Sequence, residues 1–460
     1  MSVGHVAVID IGKTNAKLAL VDGRDLSELA VLSQPNRVLD GPPYPHFDVD
    51  AIWAFLLDGL AAFQAAHGIT AISVTTHGAA GALLAANGAL AAPILDYEHS
   101  GPDEVAGAYD ALRPEFAATG SPRLPMGLNL GAQIHWQLSQ DPTLLDRVAA
   151  IVTYPQYWGH RLTGALACDV SSLGCHTDLW DPYKGQPSSL VADLGIAGKL
   201  APARRSGEVL GPVLAEVGAR TGLSADTQVL CGIHDSNASL LPHVLTREPP
   251  FSVASTGTWV IAMTMGGADV ALDPARDTLI NVNALGAPVP SARFMGGREY
   301  DLALGGNAAP CDDATLVQVA ATGPLLMPAL VSDSGPFQGR AGHWIGAEPA
   351  QGSAPRTAAV GFYLAMMTAE CLSLTGHRGS IIVEGPFGAN EGFCRMLSAA
   401  TGAAVVVGGA ATGTSQGAAM LWSGANRLTA SEAVDRTVEE TGGSFLAYAA
   451  RWRAAVAVRQ

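Results

Sequence analysis

"HVAVIDIGKTNAKLALVD", residues His5–Asp22, contains Gly12-Lys13-Thr14, the tail of a Walker-type phosphate loop, inside two apolar runs. Such a loop needs a further glycine five residues before its Gly-Lys pair, so that successive backbone N–H groups can curl around phosphate at a helix start. Ala7 stands there, within His5-Val6-Ala7-Val8-Ile9, a β-branched run that reads as a buried strand. Beyond the polar turn the apolar pattern resumes as Lys17-Leu18-Ala19-Leu20-Val21 and closes on Asp22-Gly23, a turn signal. The stretch is therefore strand, tight polar turn, strand.

Working outward, the chain has 460 residues, 48% of them hydrophobic, enough for two or three domains with proper cores. Its net charge of −15 is uninterrupted by any basic cluster, which argues against nucleic acid and anionic membrane surfaces as partners. A phosphate group must then be held locally. The first strand begins within a few residues, without a basic stretch and apolar signal core, so a cytoplasmic location is expected. The apolar stretch 357–368 is too short to span a bilayer and reads as a buried helix. Six cysteines, Cys168, Cys175, Cys231, Cys311, Cys371 and Cys394, form no CxxC pair, and reduced, packed thiols are expected.

Half a chain later the opening pattern recurs. Phe251-Ser252-Val253-Ala254 leads through Ser255-Thr256-Gly257-Thr258 into Trp259-Val260-Ile261-Ala262-Met263. Each turn combines a glycine, which allows close backbone approach, with Thr or Asn donors, and two such hairpins suit a polyphosphate. Either alone is equally an ordinary hairpin. Between and after them, helical and strand patterns alternate: an amphipathic segment at 52–63, a strand at 71–75, a loop at 76–81, a strand at 82–85, then helices at 103–111 and 132–138. The second half gives a helix at 358–374, a strand at 380–383, a helix at 390–400 and a strand at 404–407. This is an α/β chain, and the Pro-containing stretch 241–250 marks the expected boundary between domains at 1–243 and 244–460.

The residues carry a resemblance to the FGGY family of carbohydrate kinases. Asp10-Ile11-Gly12-Lys13-Thr14-Asn15-Ala16-Lys17 is similar to the family's first phosphate motif, with Lys13 where Thr is usual. Thr76-His77-Gly78 resembles its sugar-binding loop, and Asp96-Tyr97 a second sugar contact. Gln133 stands for the usual Lys in Leu130–Trp136, where Trp136 itself reads as core. Cys231–Ala238 resembles the segment with the catalytic aspartate, here Asp235, preceded by His234 in place of a small residue. Thr256-Gly257-Thr258 matches the second phosphate motif, and Gly296-Gly297 the glycine pair near the nucleotide. Gly385, Pro386 and Asn390 resemble the adenosine loop, with Pro386 for a glycine, and Thr414–Ala419 the start of a late helix beside the nucleotide.

The resemblance implies two ribonuclease-H-like (actin-like ATPase) domains flanking a catalytic cleft, with ATP and Mg²⁺ as cofactors and a small carbohydrate as substrate. It assigns ATP to Asp10, Gly12, Lys13, Thr14, Asn15, Lys17, Thr256, Gly257, Thr258, Gly297, Gly385, Pro386 and Asn390. It assigns the sugar to Thr76, His77, Gly78, Asp96, Tyr97 and His234, Mg²⁺ to Asp10 and Asp235, and the general base to Asp235. From the residues alone Asp235 is equally a cap for the following helix, and His77 a structural histidine. Arg298 and Glu299 are left between salt bridge and nucleotide contact. Ketopentoses and 6-deoxyketohexoses fit such a site. The alternative is a non-catalytic ATP- or sugar-binding conformational switch, and a homodimer is the oligomeric expectation.

Overall fold

The computed structural model describes residues 4–408, 413–424, 436–440 and 442–458. They fall into two compact units. The first holds 4–246, 280–288 and 413–424, and the second the remainder.

In the first unit the opening stretch folds as the hairpin β1 (His5–Ile11) and β2 (Asn15–Asp22), extended by β3 (Glu28–Pro35). Helix α1 (Val49–His67) follows, started by the Asp48 carboxylate on Ala51 N and stopped at Gly68, whose φ of 73° no β-carbon-bearing residue adopts readily. It leads into β4 (Ala71–Thr76), which pairs parallel to β1. The sheet continues through β5 (Val209–Pro212) and β6 (Gln228–Leu230) to give the order β5-β6-β4-β1-β2-β3, and β7 (Ile233–His234) also pairs parallel to β4.

β1 reads as one continuous apolar run because both faces of the sheet are covered. Ala7, Ile9 and Ile11 pack with Ile52, Leu56 and Leu60 of α1. Val6 and Val8 pack on the other face with Ala238 and Leu241 of helix α2 (Asp235–Thr246) and with Ala418 and Ala419. Trp136 is core, as its spacing predicts, edge-on to Tyr44 at 5.4 Å.

The second unit repeats the plan. Its hairpin is β8 (Phe251–Thr256) and β9 (Val260–Met265), and on one side the sheet continues through β11 (Pro288–Phe294) to β10 (Thr278–Val282), of which Thr278 and Leu279 fall in this unit. On the other side lie β12 (Ser380–Glu384) and β13 (Val405–Val407), both parallel to β8, and β14 (Arg436–Val438). Helix α3 (Gly296–Leu304) follows β11. Helix α4 (Ala354–Leu374) contains the expected apolar stretch, and it is long and apolar enough to cross a membrane, as is α1. Within the unit its Phe362, Tyr363, Met366 and Met367 are core residues beside Phe393 and Leu397 of α5 (Glu391–Thr401). All six cysteines are free.

Two features differ from a single cut near 243. The 241–250 stretch is not all linker: α2 stays helical through Pro242 to Thr246. And helix α6 (Thr414–Ser423), from the far end of the sequence, packs in the first unit. One contact joins the two. Pro242 has no N–H, so the Ala238 carbonyl four residues earlier has no donor within its helix. Gly417 of α6 lies against that carbonyl, so close that a β-carbon would come within 1.9 Å of the oxygen. The Ala418 carbonyl in turn accepts from the buried Ser73 hydroxyl of β4 at 2.8 Å.

Gly417→Ala is therefore expected to push α6 off α2 and destabilise the protein by about 1–3 kcal/mol, the usual range for overpacking. Urea denaturation measures it, and an unchanged midpoint contradicts the close packing.

Candidate functional site

Parallel pairing places Ile11 beside Thr76 and Thr76 beside His234, so Gly12, His77 and Asp235 follow at the same edge of the first sheet. Crevices at the carboxyl ends of parallel strands are where open α/β sheets bind ligands. The β1–β2 turn is closed by Gly12 N on Asn15 O at 2.9 Å, and Asn36 ties it down through Thr14 O at 2.9 Å and Gly12 O at 2.8 Å. Lys13 and Thr14 N–H have no protein acceptor among the described residues. Lys17 pairs with Glu28 at 2.8 Å. Lys13 leaves the turn altogether, its ammonium paired with Asp96 and, at 3.2 Å, with Glu98.

His77 is buried among Phe47, Tyr97 and Tyr154, each ring 5.1 Å from its own. Burial pushes its pKa down to about 4, so it is neutral at pH 7. Its Nδ1 lies 2.8 Å from Gly78 O, which only accepts, so Nδ1 carries the proton and Nε2 is left as an acceptor. That Nε2 is buried without a partner among the described residues. Burial also raises Tyr97, to about 12. Thr76 is spent elsewhere, its hydroxyl on His77 O at 2.9 Å. Gly78 is required by space: a β-carbon there would meet His234 Nε2 at 2.4 Å.

Asp235 opens α2, with Oδ1 2.6 Å from Ser236 N and 3.3 Å from His234 Nδ1, and its side chain is 38% exposed. Asp10 on β1 is raised to about 6, first by burial and then by the negative charge of Asp235, with Lys17 opposing. Residues 169–173, in which no site motif is apparent, support this edge. Asp169 caps the short helix Val170–Leu173, accepting from Ser171 N at 2.9 Å and Ser206 Oγ at 3.2 Å, and Ser171 Oγ accepts from His234 N at 3.0 Å. Burial works against a charged His234, yet Cys175, Asp235 and Asp169 around it raise its pKa. An Asp-x-Ser-Ser run is a readable capping signal; its link to His234 is not local and was not readable.

In the second unit Gly257 N closes the hairpin turn on Trp259 O at 2.9 Å, leaving Thr258 exposed. Thr256 turns inward: its hydroxyl donates to Glu384 O at 2.5 Å and accepts from Phe387 N at 3.2 Å, fastening the Gly385-Pro386 loop to the hairpin. Gly385 has φ of 82°, and a β-carbon would meet Thr256 O at 1.9 Å. Gly297, the second residue of α3, lies against the same turn, where a β-carbon would lie 2.3 Å from Gly257 O.

A groove of about 560 Å³ opens at the carboxyl ends of β12 and β13, lined by Glu384, Gly385, Gly388, Glu391, Val407 and Arg436 among others. Asn390 does not line it; its Oδ1 caps α5 by accepting from Phe393 N at 3.0 Å. Glu299 is structural, fully buried and bonded to Tyr363 Oη at 2.8 Å and Val331 N at 3.0 Å. Arg298 is exposed.

Comparison with known proteins puts these features in a family. Residues 5–242 match the N-terminal domain of the FGGY family of carbohydrate kinases, and residues 248–431 match the FGGY C-terminal domain. L-fuculokinase of Salmonella typhi is 24% identical over 269 residues, 57% of each chain, so the match spans little more than half the length of that relative. The crystal structure of a carbohydrate kinase from Novosphingobium aromaticivorans has a TM-score of 0.89 at 36% identity, covering 98% of this chain and 100% of that one. A xylulose kinase from Rhodospirillum rubrum shares the fold, with a TM-score of 0.77 at 21% identity over 99% of this chain and 98% of its own. With both halves matched in order and the same two-sheet plan in its structural neighbours, the chain belongs to the FGGY family of carbohydrate kinases.

Proposed function

We propose that the protein is a sugar kinase that transfers the γ-phosphoryl group of ATP to a hydroxyl of a ketopentose or 6-deoxyketohexose, with Asp235 as general base. The observation that carries this reading is the grouping at one sheet edge of turn N–H groups without a protein acceptor among the described residues, a neutral buried histidine with an unmet acceptor, and a buried carboxyl, Asp10, raised in part by the charge of Asp235. Phosphoryl transfer asks for little else from a protein: positioning, charge neutralisation and a group to take one proton.

In the first unit the turn N–H groups of Lys13 and Thr14 are donors for phosphate oxygens, and the second unit, taken by itself, repeats such a turn at Thr258. The groove beside Gly385 takes the nucleoside, with Glu384 and Arg436 at its walls. The donor chemistry of Asp10 and Asp235 fits Mg²⁺, since a carboxyl already raised to about 6 by burial and a neighbouring carboxylate is one that a hard cation would relieve. Bound there with ATP, Mg²⁺ supplies positive charge to the phosphoryl oxygens. His77 Nε2 accepts a sugar hydroxyl hydrogen and fixes the sugar. The exposed Asp235 oxygen removes the proton of the attacking hydroxyl; a new O–P bond forms as the bond to the ADP oxygen breaks, and the proton rests on Asp235. The kinship with L-fuculokinase and xylulose kinase supports a small ketose.

Coupled ADP release with Mg-ATP against ketoses, aldoses and polyols tests the reading. Stimulation by one sugar is expected, and Asp235→Asn should bind ATP as the wild type does while losing about 10²–10⁴-fold in kcat. Substantial turnover in that variant removes Asp235 from the base role.

A second expectation concerns pH. His77 titrates near 6.5 when unfolded and at about 4 when folded, so between these values the unfolded chain binds the extra proton. Stability from this group is complete above pH 6.5 and lost as pH falls through 4, amounting to as much as about 3 kcal/mol. His77→Phe, which suits the aromatic walls, should flatten the acid side of the stability curve and weaken sugar use. Urea midpoints at pH 5 and pH 7 decide it, and equal slopes in both proteins contradict the neutral buried state.

A further inference from the structure

We infer that Lys13, although it sits in the phosphate-binding turn, is a residue of the acceptor-sugar pocket, and that the pocket it completes selects a neutral polyhydroxy sugar over a sugar acid. The inference rests on the sugar-kinase reading above and adds to it a substrate class and a determinant.

The position invites the opposite assignment. A cation between Gly12 and Thr14 is where a lysine would be expected to meet phosphate, and a threonine in its place could reach nothing beyond the turn. The lysine stem is long enough to go elsewhere, and it does. Its ammonium is paired with Asp96 and Glu98, and lies 5.0 Å from the centre of the Tyr97 ring and 5.3 Å from that of Phe47. Those two rings also wall His77, each at 5.1 Å. Lys13 and His77 thus share one aromatic lining, and the lysine side chain is only 19% exposed. Attraction between a cation and a ring face, together with two ion pairs, holds the ammonium there.

What the group has left over points to its ligand. An ammonium has three N–H donors, and among the described residues Lys13 donates to Asp96 and is ion-paired with Glu98, so at least one donor is left. Asp96 takes both Lys13 and Glu98 N on Oδ1, so Oδ2 has no protein donor among the described residues. His77 Nε2 is the third unmet group. One donor and two acceptors against aromatic walls suit a sugar, whose hydroxyls each give and accept a hydrogen bond and whose C–H faces lie on rings. The charge balance selects among sugars. One ammonium set against two carboxylates leaves this trio at net −1, with Asp235 further along the same sheet edge, so a carboxylate on the substrate would meet repulsion.

The test is Lys13→Met, which keeps the apolar stem against Phe47 and Tyr97 and removes the charge. Steady-state kinetics use Mg-ATP with whichever neutral ketose the wild type turns over fastest, alongside gluconate as the acidic probe. Expected are a rise of at least tenfold in the sugar KM, an ATP KM within twofold of wild type, and wild-type turnover of gluconate at least tenfold below that of the neutral sugar. A changed ATP KM with the sugar KM unmoved makes Lys13 a phosphate clamp and overturns the inference, as does equal loss for both substrates. Preference of the wild type for gluconate overturns it as well. Should Lys13→Met not fold, Glu98→Gln, at a more exposed position, is expected to raise the sugar KM alone by about threefold, and no change there also overturns the inference. Absence of wild-type turnover with every sugar would sink the kinase reading and this inference together, whereas wild-type turnover with the wrong variant pattern sinks this inference alone.

Discussion

Parallel pairing of β1 with β4 and of β4 with β7 sets Ile11, Thr76 and His234 side by side, and the chemistry of the first unit hangs on that register. Because side chains alternate across a strand, a slip of one residue in either ladder would turn Asp10 or His234 to the opposite face. The register is held from both faces of the sheet. Val6 and Val8 are committed to α2 and α6, and Ala7, Ile9 and Ile11 to α1, so no shift leaves both cores filled. The polar edge is thereby fixed by apolar packing on the two faces of the sheet.

The same division of labour explains the polar residues. Of the threonines expected at phosphate or sugar, Thr76 and Thr256 face inward and tie backbone to backbone, while Thr14 and Thr258 sit exposed in their turns. Motif residues next to one another in sequence thus serve opposite purposes. One holds the loop, and its neighbour is what the loop displays. Gly78, Gly297 and Gly385 belong to the holding class, since each is small because another group occupies the space a side chain would need.

Much of this was legible in the sequence, for reasons that are local. The two hairpins follow from apolar runs broken by a polar turn, and the parallel strands 71–76 and 380–384 from short β-branched runs after helical ones. The Thr76-His77-Gly78 loop was found as a motif, but its aromatic walls were not, because Phe47 and Tyr154 arrive from distant segments that carry no pocket signal of their own. Asn390 shows a second reading that the motif leaves open. Asparagine before a helix is also the preferred cap, and here the cap geometry accounts for its side-chain oxygen. Lys13 was visible from the first line, yet nothing in the order of residues says that a lysine in a phosphate turn will reach for Asp96 and Glu98. Ion pairs between loops are set by the fold, and the sequence shows only their members.

Helix α6 has a consequence for how the molecule comes into being. Its residues 413–424 are synthesised after most of the second unit, yet Ala418, Ala419 and Met420 are core residues of the first, against Val6, Val8 and Ala238. At a translation rate of about 5–20 residues per second, one face of the β1–β4 ladder waits on the order of ten seconds or more for the helix that covers it. During that interval an apolar surface stands open on the nascent chain, so the unit that begins to emerge first cannot finish folding until most of the second has been made, and the second in turn waits for Phe445, Tyr448 and Trp452 of its own core.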